Sequence, residues 1–371
     1  MKIAVYYDVP EGGASRTMEE ELKILSQRHQ IKIFHNTSAN FTFIKPTRFF
    51  QDLDSIVIQS FKQRQQAEEI DRGGFDIVYV SHDRHSQAPW ILRYLKTPSV
   101  FLCQEPTRAY FEEFLKIDKN LPRLNRIYES INRYFRKKIE IYNACHATAI
   151  VSNSIYSTES IFRAYGLSSI PVYLGIDKQE YFPEQIVKKN QLLIVGNNEP
   201  QKNLSFAIEI VSKINRKIRP KLVVASPRSS EMSSLKKLAK RLKVKIEILV
   251  GLGQVELRRV YNEAKLTLAV AYLEPFGLSV IESLACGTPV LAVSEAGFRE
   301  TVSQGKTGFL VERDSRKIAQ TVEGLLLDKE KLRTMSKLGN WEVNRRFTWQ
   351  KTVDKLEKIL YENCNHHRKL S

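Results

Sequence analysis

Apolar positions along the chain follow two rhythms. Runs at 2–7, 31–34, 76–80, 99–103 and 147–152, and again at 192–195, 222–225, 246–250, 266–272 and 290–293, are nearly continuous in apolar residues. They are too short for ordinary helices and read as strands buried on both faces. Between them, 16–27, 49–70, 123–142, 255–264, 278–286 and 351–363, with further stretches after Asn153 and from Asn203, repeat apolar residues every three or four positions, as amphipathic helices do. Strands alternating with helices predict an α/β chain with parallel sheets. The polar run Val187-Lys188-Lys189-Asn190 reads as a linker, with the domain boundary between about Gly175 and Asn190.

The stretch 266–293 organises the rest. Its apolar run breaks at Glu274-Pro275-Phe276-Gly277, a helix starts near Leu278 or Ser279, Gly287 and Pro289 end it, and a strand follows. That helix then opens at the carboxyl edge of a parallel sheet, where its unpaired N–H groups and about half a positive charge form an anion site. Gly277 leaves the backbone uncovered for a phosphate. Glu274 and Glu282, eight positions apart, flank the same end and can accept hydrogen bonds from hydroxyl groups. Phosphate and polyol together describe a sugar nucleotide. Ser279 and Glu282 also fit an S-x-x-E capping box, which needs no ligand, and the spacing alone leaves both readings open.

Other candidates sit where strands end. Gly12 and Gly13, in the turn Pro10-Glu11-Gly12-Gly13-Ala14, suit a loop lying close to a ligand or an ordinary turn. His82 closes the 76–80 strand at the edge where open sheets bind ligands; bonding to nearby backbone is the competing reading. Lys202, at a strand-to-helix junction after Gly196, is placed to meet a diphosphate as a point charge. The segment 123–142 is an amphipathic helix with a basic face, from Arg123, Arg126, Arg133, Arg136, Lys137 and Lys138. It reads either as a helix packed on the sheet or as an interfacial helix on an anionic membrane.

Length and charge narrow these readings. A chain of 371 residues exceeds one ordinary core, and 42% hydrophobic content is enough for two. The net charge of +17 favours anionic partners without choosing among nucleotide, lipid, glycan or nucleic acid. Cys103, Cys145, Cys286 and Cys364 are widely spaced, which indicates neither a zinc site nor a disulfide framework and suits a reducing compartment. The first apolar run is too short for a signal peptide, and no stretch approaches the ~18 apolar residues of a spanning helix, so a cytoplasmic protein is expected, peripheral at most on the inner face of the membrane.

Glu274-Pro275-Phe276-Gly277-Leu278 through Glu282, followed by Ala285-Cys286-Gly287-Thr288-Pro289-Val290, resembles the E-x7-E signature of the retaining glycosyltransferases of family 4. Gly297, Arg299-Glu300 and Thr307-Gly308-Phe309-Leu310 resemble the family's GG-x-x-E and TG-F-L segments, and 171–177 with Phe182-Pro183 resembles its PxGxD and F-x-P passage. The resemblance implies a GT-B fold, two Rossmann-like domains with parallel sheets facing across an interdomain cleft. Residues 1–175 would form the acceptor domain, 176–349 the nucleotide-sugar-binding domain, and a last helix, about 350–371, would cross back onto the first.

What the resemblance implies for the site can be carried residue by residue. Glu274 would hold hydroxyls of the transferred hexose as the catalytic carboxylate, and Glu282 the ribose hydroxyls. Gly12, Gly13, Gly196, Asn197, Lys202, Leu252, Phe276, Gly277, Leu278 and Ser279 would contact the donor, Leu252 at the base. His82 and Gln104 would lie near sugar or acceptor. Many relatives carry a histidine at the position of Gln104 and an arginine at that of Asn197, so an acid/base role at the first does not transfer, and donor binding would either lean more on Lys202 and on the backbone at Gly277 to Ser279 or be weaker. The implied reaction moves a hexose, with retention, from a nucleotide diphosphate sugar such as a UDP- or GDP-sugar to a hydroxyl of a glycan, lipid or small molecule, in polysaccharide, glycolipid or glycoconjugate assembly. It needs no metal and no cofactor besides the donor. A GT-B sugar-nucleotide epimerase or phosphorylase is the nearest alternative. A polyanion- or nucleic-acid-binding protein is the alternative of another class, and it gains little because the basic residues are not interleaved with aromatics on a recognisable module, so no nucleic acid partner is expected.

Overall fold

The computed structural model describes residues 1–9, 12–35, 48–112, 115, 117–227 and 232–370, without the side chains of 48, 49 and 366–370. Pro10 and Glu11 of the glycine turn lie outside the described residues. Two units emerge, one of residues 1–172 and 353–371, the other of 173–352.

The first unit is built on six strands: β1 (Lys2–Asp8), β2 (Gln30–Phe34), β3 (Ile77–Asp83), β4 (Ser99–Leu102), β5 (Ala149–Ser152) and β6 (Ile170–Pro171). All pairings are parallel, in the order β2-β1-β3-β4-β5-β6. Both sheet faces are covered, which is why the strands are apolar throughout rather than alternating. Ile3, Val5, Tyr79 and Val100 pack on Met18, Leu22 and Leu25 of the helix Gly13–Leu25 and on Val353, Leu356, Ile359 and Leu360 of the last helix. Ala4, Tyr6, Val78 and Phe101 pack on Ala67, Ile70, Ile91 and Ile161 from the other side.

The second unit repeats the scheme with β7 (Gln191–Val195), β8 (Lys221–Ser226), β9 (Ile246–Val250), β10 (Leu266–Ala269), β11 (Val290–Val293) and β12 (Gly308–Val311), again parallel, in the order β12-β11-β10-β7-β8-β9. In each sheet the first strand lies between its successor on one side and a later strand on the other. The chain therefore reverses its winding at β1/β3 and at β7/β10, and such reversals open crevices at the carboxyl ends of the strands.

Several boundaries differ from the sequence reading for local reasons. The first helix starts at Gly13 rather than Arg16, because Ser15 Oγ accepts the Gly12 N–H at 3.0 Å and closes the first turn. β10 stops at Ala269 although the apolar run continues to Tyr272, since the carbonyls of Val270 and Ala271 are taken by the Arg313 side chain. The run read as a linker is stitched into the second unit. The Lys188 ammonium donates to the carbonyls of Asn262 and Ala264 and to Thr288 Oγ1, and its burial lowers its pKa to about 8. The last helix, Trp349–Leu370, runs past the apolar rhythm of 351–363 at both ends. Among the described residues no helix is long and apolar enough to cross a membrane.

One buried carboxyl makes the first unit sensitive to pH. Glu21, on the helix Gly13–Leu25, is 1% exposed and accepts the Tyr79 hydroxyl at 2.7 Å. Burial outweighs that bond and raises its pKa from 4.5 to about 7. Between those values the folded chain keeps a proton that the unfolded chain releases, so this stabilisation is complete below pH 4.5 and lost as pH rises through 7. Glu21→Gln keeps the neutral form at every pH. Its stability relative to the parent should rise by about 3 kcal/mol between pH 4.5 and 7.5 in urea unfolding, and an unchanged difference across that range would contradict the assignment.

Candidate functional site

The loops that follow β7 and β10 flank the winding reversal of the second sheet, and both carry charge. After β7 the chain passes Gly196 and Asn197 into a short turn, Pro200–Lys202, and the helix Leu204–Lys213. After β10 it runs through Leu273, held at φ 45, and Glu274-Pro275-Phe276-Gly277 into the helix Leu278–Ala285. The loops are joined in two places. Tyr272 N–H donates to the Gln201 carbonyl at 2.7 Å, and Lys202 Nζ lies 2.8 Å from Glu274 Oε2. Two residues singled out independently in the sequence, 72 positions apart, thus meet as an ion pair.

The helix beside them begins without a side-chain cap. Gly277 occupies the cap position at φ 92 and ψ 62. A Cβ there would come within 2.9 Å of the Phe298 ring, so glycine is required on two counts. Gly297 is constrained in the same way from the neighbouring loop: its N–H donates to the Glu274 carbonyl at 2.9 Å, and a Cβ on it would lie 2.2 Å from the Pro275 carbonyl oxygen. The backbone at Glu274 and Pro275 is therefore clamped by β11's outgoing loop.

The capping-box alternative does not hold. Ser279 lies inside the helix rather than at its cap, and Glu282 turns into the unit, 3% exposed, where Oε2 accepts the buried Tyr261 hydroxyl at 2.7 Å. The N–H groups of Leu278 and Ser279 belong to the first turn, which has no intrahelical acceptors to offer them. Phe276 is buried, with its ring centroid 6.0 Å from that of Tyr173 and 5.6 Å from that of Phe347. Asn197 donates to Glu199 at 2.7 Å, while its Oδ1 is buried with no partner among the described residues. Leu252 follows Gly251 at φ 65 and precedes Gly253, whose N–H is capped by Glu256 at 2.8 Å.

In the first unit, Gly12, Gly13 and His82 flank the reversal between β1 and β3, and Gln104 follows β4. Burial lowers the His82 pKa to about 4, so the imidazole is neutral at pH 7 and offers a hydrogen bond rather than a charge. Gln104 Nε2 is buried with no partner among the described residues. Two carboxylates hold these loops. Asp83 accepts the N–H groups of His85 and Ser86 at 2.8 and 2.9 Å and the Gln63 amide at 2.7 Å; Glu140 accepts Thr107 N–H at 2.9 Å and its hydroxyl at 2.6 Å.

Known proteins resemble this chain in part of its sequence and in its fold. Residues 177–340 match the model of the family Glycosyl transferases group 1. An N-acetyl-alpha-D-glucosaminyl L-malate synthase from Bacillus anthracis is 26% identical over 202 residues, 52% of this chain and 53% of the relative. The chain thus spans about half the length of the curated relatives it matches. Solved structures align over nearly all of it. Sucrose-phosphate synthase from Thermosynechococcus elongatus superposes with a TM-score of 0.75 at 15% identity, covering 98% of both chains. Anabaena Alr3699/HepE in complex with UDP-glucose gives 0.74 at 16%, covering 98% of this chain and 100% of the other. The fold is GT-B.

Tyr261, Asp83, Glu140 and Arg313 were not legible as parts of these sites. Each acts through a neighbour and carries no motif of its own; the one sequence hint was that Asp83 directly follows His82.

Proposed function

We propose that the protein is a retaining glycosyltransferase that moves a hexose from a nucleotide diphosphate sugar, a UDP- or GDP-sugar, to an acceptor hydroxyl. The observation that carries the reading is the Lys202–Glu274 pair beside an uncapped helix N-terminus at the winding reversal of the second sheet. A lysine and orphan N–H groups suit the diphosphate, while a carboxylate suits the sugar hydroxyls. The match over 177–340 and the likeness to a protein solved with UDP-glucose support the donor class.

In this reading the bond from the anomeric carbon to the diphosphate breaks, and the acceptor oxygen takes its place on the same face as its proton is released. Lys202 and the N–H groups of Leu278 and Ser279 stabilise the departing charge, which does the work a metal ion would otherwise do. Gly196 and Asn197 border the diphosphate, Phe276 and Gly277 shape the loop, Leu252 borders the base, and Glu282, oriented by Tyr261, holds the ribose. In the first unit Gly12, Gly13, His82 and Gln104 serve the donor and the acceptor, which is a glycan, a lipid or a small molecule. The neutral imidazole of His82 and the Gln104 Nε2, which has no partner among the described residues, fit hydroxyl-rich ligands.

The two carboxylates are separable by experiment. Glu274→Gln should cut turnover by roughly a hundredfold while nucleoside diphosphate affinity is kept. Glu282→Ala should weaken nucleoside diphosphate binding by about 1–3 kcal/mol in calorimetric titration. Parental rates in the first, or parental affinity in the second, would remove that residue from its role.

The helix Arg123–Ala144 extends the proposal to a membrane surface. Leu124, Ile131 and Phe135 are 79%, 53% and 57% exposed, and Arg123, Arg126, Lys137 and Lys138 are exposed on the same helix. Exposed apolar side chains and cations on one helix suit an anionic bilayer. Sedimentation with phosphatidylglycerol vesicles should pull the protein down, with less than a tenth as much on phosphatidylcholine and a loss with Ile131→Glu/Phe135→Glu; equal behaviour on both lipids would refute the contact.

A further inference from the structure

We infer that Arg313 is a positioning residue for Glu274, bracing the loop that presents this carboxylate from both sides. The inference rests on the transferase reading for its kinetic consequence, and on the structure alone for its geometry.

Arg313 follows β12 and reaches back under the loop after β10. Its Nη1 donates to the Val270 carbonyl and its Nη2 to the Ala271 carbonyl, both at 2.8 Å. The remaining fork engages Glu295, Nε to Oε1 at 2.7 Å and Nη2 to Oε2 at 2.5 Å. The guanidinium plane also lies 4.0 Å from the centroid of the Tyr272 ring. These contacts occupy consecutive residues, 270, 271 and 272, immediately before the loop's strained point at Leu273. A leucine at φ 45 persists only where its surroundings hold it there.

The second side of the brace runs through Glu295. Ala296 follows it at φ 46, and then Gly297, whose N–H holds the Glu274 carbonyl at 2.9 Å. Arg313 thus fixes the residues that lead into Glu274 and, through Glu295, the loop that clamps Glu274 from beyond. Tyr272, under the guanidinium, also donates its N–H to Gln201, next to Lys202. The registration of carboxylate against ammonium at 2.8 Å is then a property of Arg313's fork. Lysine cannot reproduce it, because an ammonium lacks the planar pair of donors that serves two carbonyls and a carboxylate together. A displacement of about 1 Å at a reacting group can cost a hundredfold in rate.

The test compares Arg313→Lys, Arg313→Ala and Glu295→Ala with the parent, using the sugar nucleotide that the parent turns over fastest among a panel of UDP- and GDP-sugars. Arg313→Lys should lower kcat by about ten- to a hundredfold, with donor KM and nucleoside diphosphate Kd within about twofold. Glu295→Ala, which leaves the guanidinium in place, should give the same split at smaller amplitude. Crystals of Arg313→Lys should have Glu274 moved away from Lys202. Parental kcat in Arg313→Lys, a loss of nucleoside diphosphate affinity as large as the loss of kcat, or an undisturbed Lys202–Glu274 pair in those crystals would overturn the inference. A parent that turns over none of the panel would sink the transferase reading alone, since the crystals still decide the brace; where Arg313→Ala fails to fold, Arg313→Lys and Glu295→Ala carry the test.

Discussion

The second unit depends on bringing one lysine and one glutamate into contact at the place where its parallel sheet reverses direction. The Lys202 and Glu274 side chains remain 32% and 19% exposed, and a pair so close to water adds little to folding stability. Its arrangement nevertheless recruits much of the local backbone. Gly277 takes a conformation that other residues resist, Leu273 and Ala296 are bent into the left-handed region, and Gly297 is packed against a carbonyl. Strained backbone of this kind persists only where the surrounding structure holds it, and it gathers here around an ion pair too weak to account for it.

The two sheets share one design with different contents. In each, a short apolar strand delivers a polar loop to the carboxyl edge, and a side chain bonded into the unit fixes that loop. In the second unit the anchors are Arg313 and Tyr261, and in the first they are Asp83 and Glu140. The contents differ in charge. The second unit presents a cation and helix N–H groups, which suit phosphate, whereas the first presents a neutral histidine and an amide, which suit hydroxyls.

Much of this was legible in the sequence because it rests on periodicity and on punctuating residues. Parallel strands buried on both faces leave unbroken apolar runs, and glycines mark forced turns, so the α/β class and the strand-loop-helix-strand path around Glu274 could be read directly. The surroundings of Glu282 could not. Its spacing from Ser279 fits a cap, and only the three-dimensional position of Tyr261, 21 residues earlier, shows that the carboxylate is turned inward. The contacts of Lys188 were hidden for a related reason: charge suggests solvent, yet three acceptors wait for that ammonium inside the unit. Arg313 shows the same limit, since its partners lie 18 to 43 positions away.

The claim that the lysine, the glutamate and the helix start together form the donor's phosphate and sugar site is tested most directly by a crystal structure with a nucleotide diphosphate sugar bound. The account predicts diphosphate oxygens within hydrogen-bonding distance of Lys202 Nζ and of the Leu278 or Ser279 N–H, with the sugar against Glu274. A donor bound elsewhere, with the ion pair still closed at 2.8 Å, would contradict it.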